Sequence, residues 1–319
     1  MPSGEDCRKA DCLLKILKGK NIFIAGSQKN AGKTTFLNYA LKTLGCGPDK
    51  CCRGITSIGI DGEETDGIFG NAKPRITAEA GDLFICSEKA LENGGIQYGI
   101  INVYPYKTAI GRPVLARALR RGEIEISGPE NNDQLAGMIS DMRAAGADTV
   151  FIDGAADRIT HSGISPLNMQ GENADPESGV LAYVAKIEPE NFNSAVSAIK
   201  ILAAASNCRT SADLSADIPD SDIIKIAGAA TEIKTERAVS RFFSSGEKKK
   251  CIIVFDSPSS VFLPWMSWRQ LCTKCEIVFE TKPKKIILAI NLYNVNRADF
   301  EKKLISPGSC VLFYNPYEA

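Results

Sequence analysis

The sequence holds a single histidine, His161, among 319 residues. Nothing besides the nearby Asp157 marks it as a base, so a Ser-His-Asp hydrolase finds little support. An excess of positive charge is also missing, since Lys and Arg number 38 and so do Asp and Glu. The chain thus lacks the basic footprint that binding to a phosphate backbone requires, and nucleic acid is not an expected partner. No apolar run reaches the roughly 18 uninterrupted residues of a membrane span, so none is expected. The opening "MPSGEDCRKADCLLKILKGK" has only the short apolar cluster Leu13, Leu14, Ile16 and Leu17 and no small-residue cleavage site, unlike a signal peptide. The eleven cysteines are odd in number and irregularly placed. Without an export signal they point to reduced thiols and a cytoplasmic location. Internal repeats and low-complexity tracts are absent.

At this length roughly three quarters of the unfolded surface can be buried without a disulfide or metal staple. Residues 10–18 have apolar positions at helical spacing. "NIFIAG" (21–26) reads as a short buried strand, and Lys33 to Leu44 as a helix stopped by Gly45, Gly47 and Pro48. From about 53 to 127, short apolar segments such as "GITSIGI", "DLFICS", "IQYGIINVY" and "EIEIS" alternate with Gly, Asn and Pro, which predicts a strand-rich insertion. "NDQLAGMISDMRAAG" returns to helical periodicity, and "ADTVFIDG" is another buried strand. Residues 162–180 are polar and rich in breakers, hence a loop or lid. A helix over 190–205 and strands at "KCIIVFD", "KIILAINLY" and "SCVLFYNP" follow. Strand, helix and strand in succession predict an α/β fold with a mostly parallel sheet flanked by helices. Two regions are expected, 1–175 for the nucleotide and 176–319 as an α/β half completing the same sheet.

The segment "GSQKNAGKTT" (26–35) lies between the first strand and its helix and carries three of the four fixed letters of the phosphate loop G-x-x-x-x-G-K-[ST]. Ser27 stands where the first glycine belongs. Gly26, one residue earlier, is expected to supply the bend in a loop lengthened by one residue. In such a loop backbone N–H groups curl around the β-phosphate, the lysine reaches the β and γ oxygens, and the next hydroxyl holds Mg²⁺. The expected nucleotide residues are Gly26, Ser27, Gln28, Lys29, Asn30, Ala31, Gly32, Lys33, Thr34 and Thr35, with the helix dipole assisting.

Asp153 closes "TVFID", the position of a Walker B carboxylate that holds Mg²⁺ or its water; a helix cap or turn is the plainer alternative. In "TSIGIDGEETD" (56–66), Thr56, Asp61, Glu63, Glu64 and Asp66 follow the second strand. Asp61 is the first choice to complete the metal shell or orient a water, with an acidic hairpin turn equally open. Lys33, Asp61 and Asp153 are therefore the catalytic candidates, and Thr34, Asp61 and Asp153 the metal candidates. Missing N-K-x-D favours adenine over guanine. Gln28 stands where a paired-lysine loop has its extra lysine.

"SGPENNDQL" (127–135) could touch a ligand, although capping explains Asn131, Asn132 and Asp133 equally well. Cys272 and Cys275 form a C-x-x-C, and Cys46, Cys51 and Cys52 share a turn; free thiols are the default, and a metal site needs both groups together. The tryptophans of "FLPWMSWRQL" suit packing or a partner surface.

Taken together, "GSQKNAGKTTFLNYAL", "GITSIGIDGEETDGIFGNAKPRI", "ISGPENNDQL" and "ADTVFIDGAADR" resemble the P-loop subunit of the lysine 5,6-aminomutase reactivase family, over about residues 20–168. The displaced glycine belongs to that family's pattern. The resemblance implies a P-loop NTPase that uses ATP and Mg²⁺, acting with a MutS-like subunit to restore an adenosylcobalamin-dependent aminomutase after cofactor damage. Two other functions stay open. One is a small-molecule kinase or ligase similar to dethiobiotin synthetase, with a pocket drawn from Thr56, Arg112 and Asn132. The other is a nucleotide-gated binding module that barely hydrolyses.

Overall fold

A strand apolar on both faces belongs in the middle of a parallel sheet, where helices cover both sides. In the computed structural model of the protein, "NIFIAG" forms such a strand, β1 (Asn21–Gly26), buried from Ile22 onward. The structure describes residues 13–45, 51–58, 75–93, 95–108, 111–129, 131–154, 179–214, 222–244, 251–283, 285–304 and 311–315. The chain is α/β, with a large, mostly parallel sheet flanked by helices. It divides into two compact units, the first of residues 1–155 and 169–184, the second of 156–168 and 185–319. Among the described residues no helix is long and apolar enough to cross a membrane.

In the first unit, a helical turn over residues 13–17 buries Leu13 and Leu17 ahead of β1. Helix α1 (Lys33–Gly45) turns Phe36, Leu37, Ala40, Leu41 and Leu44 inward, the spacing of one helical face. Then come β2 (Arg53–Ile58), β3 (Ile76–Ala78), β4 (Leu83–Ser87), the short α2 (Glu88–Asn93), β5 (Tyr98–Val103), β6 (Pro113–Ala118) and β7 (Gly122–Ile124). Helix α3 (Asn132–Ala144), β8 (Thr149–Gly154) and the first six residues of β9 (Gly179–Ile187) complete it. Seven strands lie in the order β9-β1-β8-β2-β4-β6-β5. The first five run parallel, while β6 is antiparallel to both β4 and β5. The segment expected as an insertion therefore supplies four strands of the main sheet, and only β3 and β7 pair apart from it. Strands β2, β4 and β6 gain neighbours on both edges there, while β5 is the edge strand and leaves Ile100, Ile101 and Val103 exposed.

One buried ion pair braces this unit. The Arg53 guanidinium sits 2.5 Å from Asp82 with both side chains 3% exposed, and it also donates to the Leu41 carbonyl of α1. The Asp82 carboxylate in turn accepts from the Glu79 amide at 2.7 Å, so neither charge is buried without compensation.

The second unit is again strand and helix in alternation. Helix α4 (Phe192–Ala205) is followed by β10 (Arg209–Thr210), β11 (Ile223–Ile226), β12 (Ala230–Thr231), α5 (Glu232–Phe243), β13 (Cys251–Phe255) and β14 (Val261–Phe262). Next come α6 (Trp265–Lys274), β15 (Cys275–Phe279), β16 (Lys285–Leu292), α7 (Arg297–Leu304) and β17 (Val311–Tyr314). A four-stranded parallel sheet runs β10-β15-β13-β11. Its core stacks Trp268 on Phe279 with Phe255 beside both, so this tryptophan serves packing.

Candidate functional site

The loop between β1 and α1 takes its shape from a few backbone positions. The Ser27 amide donates to the Val184 carbonyl at 2.9 Å, extending the β1–β9 pairing one residue beyond Gly26. Asn30 has φ 57° and Gly32 φ 96°, so the left-handed turns that curl the loop fall at these two residues. Asparagine tolerates that region because its short polar side chain can bond locally. Gly26 is not in the left-handed region, which corrects the expectation that it supplies the bend. It is small for another reason: a Cβ there would lie 3.1 Å from Cγ and Cδ of Lys33, whose stem crosses directly over it.

Ala31 is buried, Gln28 half-buried, and Lys29 and Asn30 exposed. Lys33, Thr34 and Thr35 open α1 half-buried, and the Gly32 carbonyl accepts the first helical bond from the Phe36 amide at 2.9 Å. Amides at a helix start, a lysine whose stem crosses Gly26 and left-handed residues just ahead are the parts from which an anion-binding turn is built. Its chemistry suits a polyphosphate.

Asp153 is the fifth residue of β8. It sits in register with Ile24 of β1 on one side and Ser57 of β2 on the other, 9% exposed. Its carboxylate therefore emerges on the strand adjoining the loop, at the carboxyl edge where open α/β sheets take ligands. Thr34 and Asp153 are the described residues suited to hold a divalent cation. Asp61, the third metal and catalytic candidate, lies outside the described residues, as do Glu63, Glu64, Asp66, Asp157, His161 and most of the polar segment 162–180.

Sequence reasoning missed a further part of this edge. Strands β2 and β4 pair only at Gly54↔Leu83 and Ile55↔Phe84, then separate. The backbone of Ser127 enters the gap: its amide donates to the Ile85 carbonyl at 3.0 Å, and its carbonyl accepts from the Ser57 amide at 3.4 Å. The Thr56 hydroxyl donates to the same carbonyl at 3.1 Å. Gly128 follows, so close to β2 that a Cβ would stand 1.6 Å from the Ser57 carbonyl oxygen. Asn131 caps α3 by accepting from the Gln134 amide at 3.0 Å, so its side chain is used as capping predicts. Arg112 pairs with Glu88 at 3.1 Å on the antiparallel side.

Strand β9, against which the loop begins, was also missed. Its apolar run "GVLAYVAKI" follows directly on the polar segment and was partly absorbed into it. Tyr183, in register with Ala25, is half-buried there, and the loss of water around it pushes its phenol up to about 12.

The described cysteines stay separate thiols. Cys51 lies against the Thr149 hydroxyl at 3.3 Å, and the Cys52 thiol donates to the Gly81 carbonyl at 3.4 Å. Cys275 faces Cys251 at 2.8 Å across β13 and β15, while Cys272 is exposed. Burial raises Cys51, Cys52, Cys251 and Cys275 above the ordinary thiol range, which disfavours the thiolate that a metal needs. Among the described residues no group of three or more His, Cys, Asp or Glu is placed to hold a metal ion; Cys46 lies outside them.

Neither a protein-family model, nor a curated protein, nor a solved structure matches the chain.

Proposed function

We propose that the protein is a Mg-ATP-dependent P-loop NTPase that serves a reactivase for an adenosylcobalamin-dependent aminomutase, working with a MutS-like partner. One observation supports the nucleotide reading most: a glycine-lysine-threonine loop joins a central parallel strand to a helix, and Asp153 stands on the next strand in register with Ile24. The aminomutase part rests on the four sequence runs that resemble that family, and adenine is preferred because N-K-x-D is missing.

In this reading the amides of Gly32 to Thr35 and the α1 dipole bind the phosphates, and Lys33 offsets charge that builds on the transferring group. Thr34 and Asp153 hold Mg²⁺, which when bound neutralises the β and γ oxygens. Asp61 orients the attacking water. Turnover drives a conformational change that releases damaged cobalamin, while the chain does no chemistry on the amino acid.

The test is nucleotide binding followed by phosphate release. Wild-type protein is expected to bind Mg-ATP, and Lys33→Ala to lose at least tenfold in affinity, because charge-assisted bonds of about 1.5–3 kcal/mol disappear. Slow hydrolysis should rise when the MutS-like protein and the aminomutase are added. Undiminished hydrolysis in Lys33→Ala would overturn the assignment.

A further inference from the structure

Ser127 is a serine only 3% exposed whose hydroxyl oxygen has no hydrogen-bond partner among the described residues. That is unusual, because a buried hydroxyl without a partner forfeits the bonds it made to water in the unfolded chain. Its own backbone is fully used: the amide goes to Ile85 and the carbonyl takes both Ser57 and Thr56. The residue is thus held rigidly between β2 and β4 while its side chain satisfies nothing. Packing alone would be served as well by alanine.

The position explains what such a hydroxyl could meet. The strands β1, β8 and β2 are consecutive in the sheet, and Ser127 occupies the next place beyond β2 at their carboxyl ends. Parallel neighbours are about 4.8 Å apart, so its backbone lies two spacings, roughly 10 Å, from that of Asp153. It lies on the side of Asp153 away from β1. A triphosphate whose β-phosphate sits in the loop after β1 extends its terminal phosphate toward the carboxylate on β8. The backbone of Ser127 then lies beyond that terminal group, on the side away from the loop.

Resting on the nucleotide reading above, we propose that the Ser127 hydroxyl is the γ-phosphate contact of the site, a group that binds nucleoside triphosphate and has no partner when diphosphate is bound. Because the same residue joins β2 to β4 and leads through Gly128 into α3, its engagement would couple the terminal phosphate to that helix. The bent segment is too tight to slide independently, since Gly128 already abuts the Ser57 carbonyl.

The experiment compares Ser127→Ala with wild type for three quantities: melting temperature without nucleotide, affinity for Mg-ADP, and affinity for a non-hydrolysable Mg-ATP analogue. The expected result is a melting temperature unchanged or raised, ADP affinity within twofold, and analogue affinity lower by about tenfold or more. Ser127→Thr, which retains the hydroxyl, should recover part of the loss. Equal loss for both nucleotides, or no loss for the analogue, overturns the γ-phosphate role. A lower melting temperature with both affinities intact overturns it too, and makes the hydroxyl structural. Lys33→Ala separates the two levels: if wild type binds neither nucleotide, or Lys33→Ala binds both normally, the nucleotide reading itself has failed and this inference falls with it.

Discussion

Replacing Gly128 with alanine should be among the most damaging single-methyl additions in the first unit. The new Cβ would be placed 1.6 Å from the Ser57 carbonyl oxygen and 2.4 Å from its carbon, both backbone atoms that no side-chain rotation can clear. Restoring a 3.0 Å contact requires the segment to retreat from β2 by roughly 1.4 Å. A shift of that size breaks the bonds that the Ser127 carbonyl accepts from the Ser57 amide at 3.4 Å and the Thr56 hydroxyl at 3.1 Å. Thr56 is fully buried, and a buried donor deprived of its acceptor costs about 1–3 kcal/mol, so the two losses together amount to about 2–6 kcal/mol. Urea denaturation of the purified variant measures this directly, with an unchanged denaturant slope showing that only stability has moved. A matched control lies nine residues on. Gly137, within α3, has nothing within 4 Å of an added Cβ, so Gly137→Ala should stabilise by about 0.5–1 kcal/mol. A Gly128→Ala variant within about 1 kcal/mol of wild type would refute the placement of this segment against β2.

Other perturbations should separate structure from site. Arg53→Ala leaves Asp82 buried without its cation and should lose about 3–5 kcal/mol in the same urea assay, whereas Arg53→Met together with Asp82→Leu should recover much of it. Gly26→Ala pushes a methyl to 3.1 Å from the Lys33 stem, so Mg-ATP affinity measured by calorimetry should fall about tenfold with little change in melting temperature. Tyr183 has its phenol raised by burial to about 12, from about 10 in the unfolded chain. The unfolded state therefore releases this proton first as pH rises, and stability should drop between about pH 10 and 12. Tyr183→Phe should flatten that part of the profile, followed by circular dichroism.

What could be read from the chain follows the range of each signal. Strand β1, helix α1, β8, α3 and the later apolar strands announce themselves through runs of neighbouring residues, bounded by Gly and Pro. The turn from β1 into α1 was legible for the same reason, since "GSQKNAGKTT" is contiguous and begins at the end of an apolar strand. Strand order has no such local mark. That β2, β4, β5 and β6 enter the main sheet depends on which hydrophobic edges meet, and "insertion" was a natural expectation for short strands among breakers. The contact of Thr56 with Ser127 spans 71 residues and could not be anticipated from either end. At Gly26 the residue type was read correctly as special, but for its backbone angle when the cause is the passage of the Lys33 side chain. Asn30 took the positive φ instead, a role that asparagine permits but does not advertise.

The neighbours of β1 bear on how the protein is made. Among the described residues this strand pairs with β8 and β9, both later in the chain, so the segment that leads into the β1–α1 loop is made before either side of its berth. At ribosomal speeds the roughly 160 residues from the loop to the end of β9 take on the order of ten seconds or more to appear. During that interval "NIFIA" is an unpaired apolar strand exposed to whatever else is nascent. A ribosome-bound chain stalled before β8 should therefore hold α1 without a stable seat and be a preferred client for a chaperone, and synthesis slowed just ahead of "TVFID" should reduce yield without altering the finished protein.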